Sequence, residues 1–191
     1  MTDIPLKIFG DRVLVEHTKP VEGTIHIPQM AQDRAIYRVG RVVRVGDGRW
    51  PGKDPVEMLV APGELVYFQT NDLIVHSQGV HWNGQHLLML LQNDLIARVR
   101  SLDVSVEVFE PLRKWILVKP EFKDASAIVI PESVRDPSMF TWTVTKVGAR
   151  VDLPLKSGDQ VTVRMDRCSL IVLGRTEYAY IEEQFVTGLY E

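Results

Sequence analysis

The sequence predicts an all-β protein made of two tandem copies of one small barrel or sandwich. Three observations predict it. The apolar residues fall in short runs of Val, Ile and Leu punctuated by Gly and Pro, the pattern of several short strands joined by turns. No window of a dozen residues carries a clean 3.6-residue period, so no amphipathic helix is expected. The order of runs also occurs twice: Leu14 and Leu117, and Ile25 and Ile128, are each separated by 103 positions. A repeat of that length is a small domain, not a solenoid unit.

The elements follow in parallel. Each copy opens on an apolar run, Gly10-Asp11-Arg12-Val13-Leu14-Val15 in the first and Arg113-Lys114-Trp115-Ile116-Leu117-Val118 in the second. A polar stretch of about ten residues comes next, then an aliphatic tripeptide stopped by proline, Ile25-His26-Ile27 before Pro28 and Ile128-Val129-Ile130 before Pro131. Further strands are expected at Val42-Val43-Arg44-Val45 and Val144-Thr145-Lys146-Val147, each ending at a glycine. Another pair begins after Pro62-Gly63-Glu64 and Ser157-Gly158-Asp159, and Leu73-Ile74-Val75 has strand length too. The copies close with Gly84 to Val99 and Gly174 to Tyr190. The spacing drifts from 103 to 95 (Gly63 to Gly158) to about 91, so the second copy has lost loop residues without losing an element.

Two segments differ in character. Asp47 to Val56 holds the turn dipeptides Asp47-Gly48 and Pro51-Gly52 and reads as an exposed hairpin or loop. Its counterpart, Ala149 to Pro154, is short. The domains are placed at 1–100 and 104–191, with a linker near Arg100-Ser101-Leu102-Asp103. Val104-Ser105-Val106-Glu107-Val108 alternates like a fresh strand.

Composition narrows the function. With 45% hydrophobic residues the chain can build a core. Charges are nearly balanced, −1 for residues 1–103 (11 basic, 12 acidic) and −2 for 104–191 (11 basic, 13 acidic). Neither half has the basic excess of a nucleic-acid binder. Cys168 is the one cysteine, so no intrachain disulfide forms and a thiolate metal site is not expected. Placed before Leu170-Ile171-Val172-Leu173, it reads as a buried or half-buried thiol. The N-terminus lacks the basic and apolar regions of a signal peptide, and no apolar run reaches the ~20 residues of a membrane span. A cytosol-like, reducing compartment is the expectation.

The tripeptides carry the functional reading. Each is three residues long, ends at proline and sits in a long polar stretch, Glu16 to Asp33 or Lys119 to Pro137. A short core strand is the alternative. A run this short anchors little of its surroundings, so mobile loops presenting aliphatic side chains to an apolar groove are expected. Burying two large aliphatic side chains is worth roughly 3–6 kcal/mol before ordering costs. One loop then binds weakly, and several on one ring bind well through multivalency.

These residues resemble the GroES-type, ten-kilodalton co-chaperonin family in two tandem copies. The resemblance rests on Pro5-Leu6-Lys7 with Gly10 to Val15, Gly23-Thr24-Ile25-His26-Ile27-Pro28, Gly40 to Arg49, Pro62 to Phe68 and Asn93-Asp94-Leu95-Ile96-Ala97. The second copy is similar through Pro111-Leu112, Ile116 to Val118, Ile128 to Pro131, Val147-Gly148, Gly158 to Val161 and Glu177 to Ile181. The resemblance implies a GroES-like irregular β-barrel per copy and a dome-shaped ring of typically seven domains. It implies a homo-oligomer whose mobile loops dock on a GroEL-type chaperonin in its ATP- or ADP-bound state and close a folding chamber. It assigns chaperonin binding to Ile25, His26, Ile27, Ile128, Val129 and Ile130, and the roof around the dome's opening to Gly48, Arg49, Trp50, Pro51 and Gly52. The second copy is expected to contribute little or no roof. The lid itself is no enzyme, needs no cofactor or metal, and touches neither nucleic acid nor membrane. Tandem relatives occur in chloroplasts, so a mature stromal protein stands beside a bacterial or viral one acting in the cytoplasm.

Other constellations point elsewhere less well. His76, His81 and His86 are five residues apart, which puts His76 and His81 on opposite faces of one strand, and a turn at Asn83-Gly84 is expected to separate His81 from His86. Asp159 with Asp166, and Glu182 with Glu183, read as solvated carboxylates without a nucleophile. The related zinc alcohol dehydrogenases would need Cys/His ligands and a glycine fingerprint, which this chain lacks. An assembly barrel that kept the fold but lost chaperonin binding is the remaining alternative.

Overall fold

The computed structural model describes residues 6–17, 36–70, 79–82, 84–102, 104–122 and 140–190. The chain forms two compact units, Met1–Val104 and Ser105–Glu191. In the first lie β1 (Arg12–His17), β2 (Ile36–Val45), β3 (Leu65–Thr70), β4 (Gly79–Trp82), β5 (Gln85–Leu91) and β6 (Leu95–Val99). In the second lie β7 (Phe109–Pro111), β8 (Trp115–Phe122), β9 (Phe140–Val147), β10 (Gln160–Val163), β11 (Ser169–Leu173), β12 (Thr176–Glu182) and β13 (Val186–Leu189). Among the described residues helix is confined to short 3-10 turns such as Gln92–Asp94 and Glu183–Phe185. The fold is all-β.

The duplication is visible in the topology. Strand order in the first unit is β4-β5-β1-β2-β3-β6, and in the second β11-β12-β8-β9-β10-β13. These are the same permutation. The irregularities match as well. Register slips between Leu14 and Val15 where β1 meets β2, and between Leu117 and Val118 where β8 meets β9. It slips again between Tyr67 and Phe68 against β6, and between Thr162 and Val163 against β13. Each pair of slips sits at the offset the sequence gives, 103 residues for the first and 95 for the second. A bulge bends its strand and increases twist, so both sheets curl at the same places.

Curling explains the core. In a flat sheet with one wet face, buried and exposed residues alternate. Here Val13, Leu14 and Val15 are all fully buried, and so are Ile116, Leu117 and Val118. Both faces of each central strand are covered, as in a small irregular barrel. Leu14 packs with Ile8 and Leu87 on one side of its strand. In the second unit Ile116 and Val118 pack with Trp142, Val144, Val161, Ala179 and Ile181.

Three sequence expectations need correction. Residues 106–108 form a turn, and the strand begins at Phe109. The Ser105 side chain bonds to Glu107 and the Lys146 ammonium donates to the Glu107 carbonyl at 3.0 Å, so local polar bonding outweighs the alternation. The polar stretches also start later than expected. β1 runs to His17, and β8 runs through Pro120 to Phe122, paired with β9 from Lys119↔Thr143 to Phe122↔Phe140. Proline fits there because pairing of β8 with β12 ends at Val118, so Pro120 needs no N–H on that side. Finally, the turn between β4 and β5 sets His81 directly opposite His86 instead of separating them. His76 and Leu73 to Val75 lie outside the described residues.

Candidate functional site

The tripeptides Ile25-His26-Ile27 and Ile128-Val129-Ile130 lie outside the described residues. Their place in the chain is nevertheless framed. The first falls between β1 and β2, which are antiparallel neighbours with His17 opposite Gly40. The second falls between β8 and β9, antiparallel neighbours with Phe122 opposite Phe140. Both therefore occupy the connection between the same two strands of the repeated sheet.

The expected roof residues Gly48 to Gly52 belong to the 19 residues (46–64) between β2 and β3, none of them in a strand. A short neck ties this excursion to the strand before it. Gly46 N–H donates to the Arg12 carbonyl at 2.8 Å, Gly48 N–H to the Gly10 carbonyl at 3.0 Å, and Val56 N–H to the Gly48 carbonyl at 2.8 Å. Asp47 closes the neck: its Oδ1 accepts the N–H groups of Gly10 and Arg49, each at 3.1 Å. The N–H of Arg49, then that of Gly10, hold the Asp47 carboxyl below the usual carboxylate range. Arg49, Pro51 and Gly52 are exposed, whereas Trp50 is half-buried. Trp50 folds back on the neck, its Nε1 donating to Asp11 Oδ1 at 2.8 Å. The Arg12 guanidinium sits 4.5 Å from its ring centre.

Past the loop the chain is held by Gln92, a buried amide that sequence reasoning missed. Its Oε1 accepts Leu59 N–H at 2.6 Å and its Nε2 donates to the Glu57 carbonyl at 3.1 Å. Arg98 Nη2 donates to the Leu59 carbonyl at 2.7 Å.

The second unit keeps the neck and drops the loop. Only 12 residues (148–159) join β9 to β10. Gly148 N–H donates to the Trp115 carbonyl at 2.9 Å and Arg150 N–H to the Arg113 carbonyl at 3.0 Å, the counterparts of the Gly46 and Gly48 bonds. Glu183 takes the place of Gln92. Its Oε1 accepts Asp152 N–H and Leu153 N–H, both at 2.6 Å. Its Oε2 faces Lys114 Nζ at 3.0 Å, and the same ammonium meets Asp152 Oδ2 at 2.5 Å. Glu183 is thus no solvated carboxylate, as the sequence suggested; it is buried. Burial by itself would raise its carboxyl, but Lys114 and the two N–H groups together hold it below the usual range. Bonding to Asp152, then to Glu183, raises Lys114 in turn. The only general signal for such keystones is position: each polar residue directly follows a mostly buried strand, β5 or β12, and opens a 3-10 turn.

The remaining candidates bond to near neighbours in the chain. Asp159 Oδ2 caps a turn by accepting Lys156 N–H at 2.7 Å. Asp166 pairs with Arg164 at 2.7 Å and Arg167 at 3.4 Å. The Cys168 thiol lies against the Arg164 carbonyl at 3.4 Å, and burial, with Asp166 adding to it, pushes it up to about 11. Among the described residues no three His, Cys, Asp or Glu side chains gather as metal ligands would.

Comparison with known proteins agrees with this architecture. Residues 5–99 match the family described as the chaperonin 10 Kd subunit. Over 169 residues the chain is 27% identical to the 20 kDa chaperonin, chloroplastic, of Arabidopsis thaliana, an alignment that spans 82% of this chain and 64% of that relative's length. Over 105 residues it is 30% identical to the co-chaperonin GroES of Corynebacterium diphtheriae, covering 53% of this chain and all of that protein.

Proposed function

The chain belongs to the chaperonin 10 Kd subunit family of co-chaperonins, and from that premise we propose that it caps a nucleotide-bound GroEL-type chaperonin ring and closes its folding chamber. The observation that carries this reading is the repeated placement of an aliphatic tripeptide. Ile25-His26-Ile27 and Ile128-Val129-Ile130 each follow the first central strand of a unit and precede its antiparallel neighbour. Ile25, Ile27, Ile128 and Ile130 enter apolar grooves on the chaperonin, with His26 and Val129 between them. The loop at Gly48 to Gly52 forms the roof, and the second unit, with its shorter connection, adds little to it. The lid works by binding alone; the chaperonin supplies nucleotide hydrolysis. Several copies assemble into a ring, so that weak single-loop contacts sum to tight capping. The compartment is the cytoplasm or an organellar stroma, wherever such a chaperonin resides.

The test is direct. Mixed with a GroEL-type chaperonin and ADP or ATP, the protein should co-migrate with it on gel filtration and lower its ATPase rate. Absence of association under every nucleotide condition would replace this function with that of an assembly barrel.

A further inference from the structure

The first unit carries a surface cavity of about 610 Å³ lined by Phe9, Arg12, Arg49, Trp50 and Pro51. Its composition is unusual for a loop surface. Phe9 is 53% exposed, an aromatic ring beside a half-buried indole, with the Lys7 ammonium 5.0 Å from its centre. Among the described residues no ion pair involves the guanidinium of Arg12 or of Arg49. The neighbouring carboxylates are already engaged, Asp11 by the Trp50 indole N–H and Asp47 by two backbone N–H groups. Two aromatic side chains and two guanidinium groups, neither in an ion pair among the described residues, therefore meet in one concavity. The second unit has no equivalent, since Trp115 stands where the first has Arg12 and the Trp50 loop is missing.

We propose that this cavity binds a small planar aromatic anion. Ligand sites are mostly apolar, with a few placed polar groups that fix orientation. A flat ring would lie against Phe9, taking its exposed surface from water, and beside the part of Trp50 that lines the cavity. Its carboxylate or phosphate would take the guanidinium N–H groups, whose planar fork suits such oxygens. Arg12 is held in place by stacking on Trp50, so little freedom is lost when it binds. An aliphatic anion forgoes the ring contacts and a neutral arene forgoes the guanidinium groups.

The probe is 2-naphthoate, titrated into the full chain with 15N-labelled tryptophan. The readout is the Trp50 indole N–H, which is anchored at Asp11. A saturable shift is expected with 2-naphthoate and not with cyclohexanecarboxylate, inorganic phosphate or 2-naphthalenemethanol. Arg49→Gln removes an exposed side chain and should weaken binding about tenfold. Unchanged indole signals of Trp82, Trp115 and Trp142 verify that the variant is folded. Arg12→Gln should weaken it comparably, and Arg49→Lys should retain part of the affinity. No saturable shift, equal binding of the neutral alcohol, or unchanged affinity in Arg49→Gln would each overturn the proposal. So would binding of a Phe-containing acidic peptide where 2-naphthoate fails, which would make the cavity a peptide site.

Discussion

The Trp50 ring occupies the space where a side chain at Gly10 would begin. A Cβ built on Gly10 would lie 2.2 Å from the indole, and Gly10 has φ +70°. At the matching position of the second unit Arg113 adopts φ 54°, and no tryptophan loop comes back over it. Loss of the loop has released the requirement for glycine but not the left-handed backbone.

Gly10→Ala should therefore destabilise the first unit by about 2–3 kcal/mol, through left-handed strain and loss of the Trp50–Asp11 bond. Arg113→Gly should change the second unit by no more than about 1 kcal/mol, with relief of strain opposed by backbone entropy. Urea titrations that follow indole signals of each unit (Trp50 and Trp82; Trp115 and Trp142) check both. Equal effects would refute the link between the glycine and the indole.

The duplication, the all-β class and most strands are legible in the sequence because they rest on short apolar runs and turn residues, which are local. Val13-Leu14-Val15 and Ile116-Leu117-Val118 announce themselves as strands whatever surrounds them. The keystones are not legible. Gln92 bonds to residues 33 and 35 positions away, and Glu183 to residues 30 and 31 away. Nothing in Gln92-Asn93 or Glu182-Glu183 distinguishes a buried clamp from a wet turn. For His81 and His86 the sequence shows the turn at Asn83-Gly84 but not its register: Trp82 pairs with Gln85, so the two histidines are set opposite each other and not apart.

Gln92→Ala leaves the Leu59 N–H and the Glu57 carbonyl without their partner and should cost the first unit about 1–3 kcal/mol. Hydrogen exchange at Leu59 is the specific readout. It should rise in the variant well before exchange at Val13 to Val15 does.

At the same position the second unit carries a titratable carboxyl where the first carries the amide of Gln92. Glu183 sits below its ordinary value when folded. Its contribution is then complete above the unfolded carboxylate value of about 4.3 and is lost as pH falls through the folded one. Lys114 is raised, so its share is complete below about 10.4 and is lost as pH rises through the folded value. Glu183→Gln should destabilise the second unit at neutral pH, and the gap to the parent should close below pH ~4. A gap that stays constant from pH 7 to pH 3 would contradict the ion pair.

Cys168 should resist modification. A thiol pushed up to about 11 is almost wholly protonated at pH 7.5, and the thiolate is the reactive form. Labelling by a thiol reagent should run more than tenfold slower than for a free thiol at about 8.5, and unfolding should abolish the difference.

The two tripeptides should not contribute equally to capping. Ile128-Val129-Ile130 is β-branched throughout, so it is stiff at χ1 and extended by preference. Ile25-His26-Ile27 has a polar centre. In an extended segment the middle side chain points away from its neighbours, so His26 can stay in water while Ile25 and Ile27 bind. The first loop is then weakened, not disabled. Ile128→Ser with Ile130→Ser should reduce chaperonin binding more than Ile25→Ser with Ile27→Ser, and His26→Val should strengthen it. If the groove instead encloses all three residues, His26 must be neutral, and binding through the first loop falls as pH drops below ~6.5. Co-migration with a GroEL-type chaperonin in ADP, measured for each variant, separates these cases. Equal losses from the two double variants would remove the asymmetry. Unchanged binding in both would mean that the tripeptides are not the contact, and the capping mechanism would fall with them.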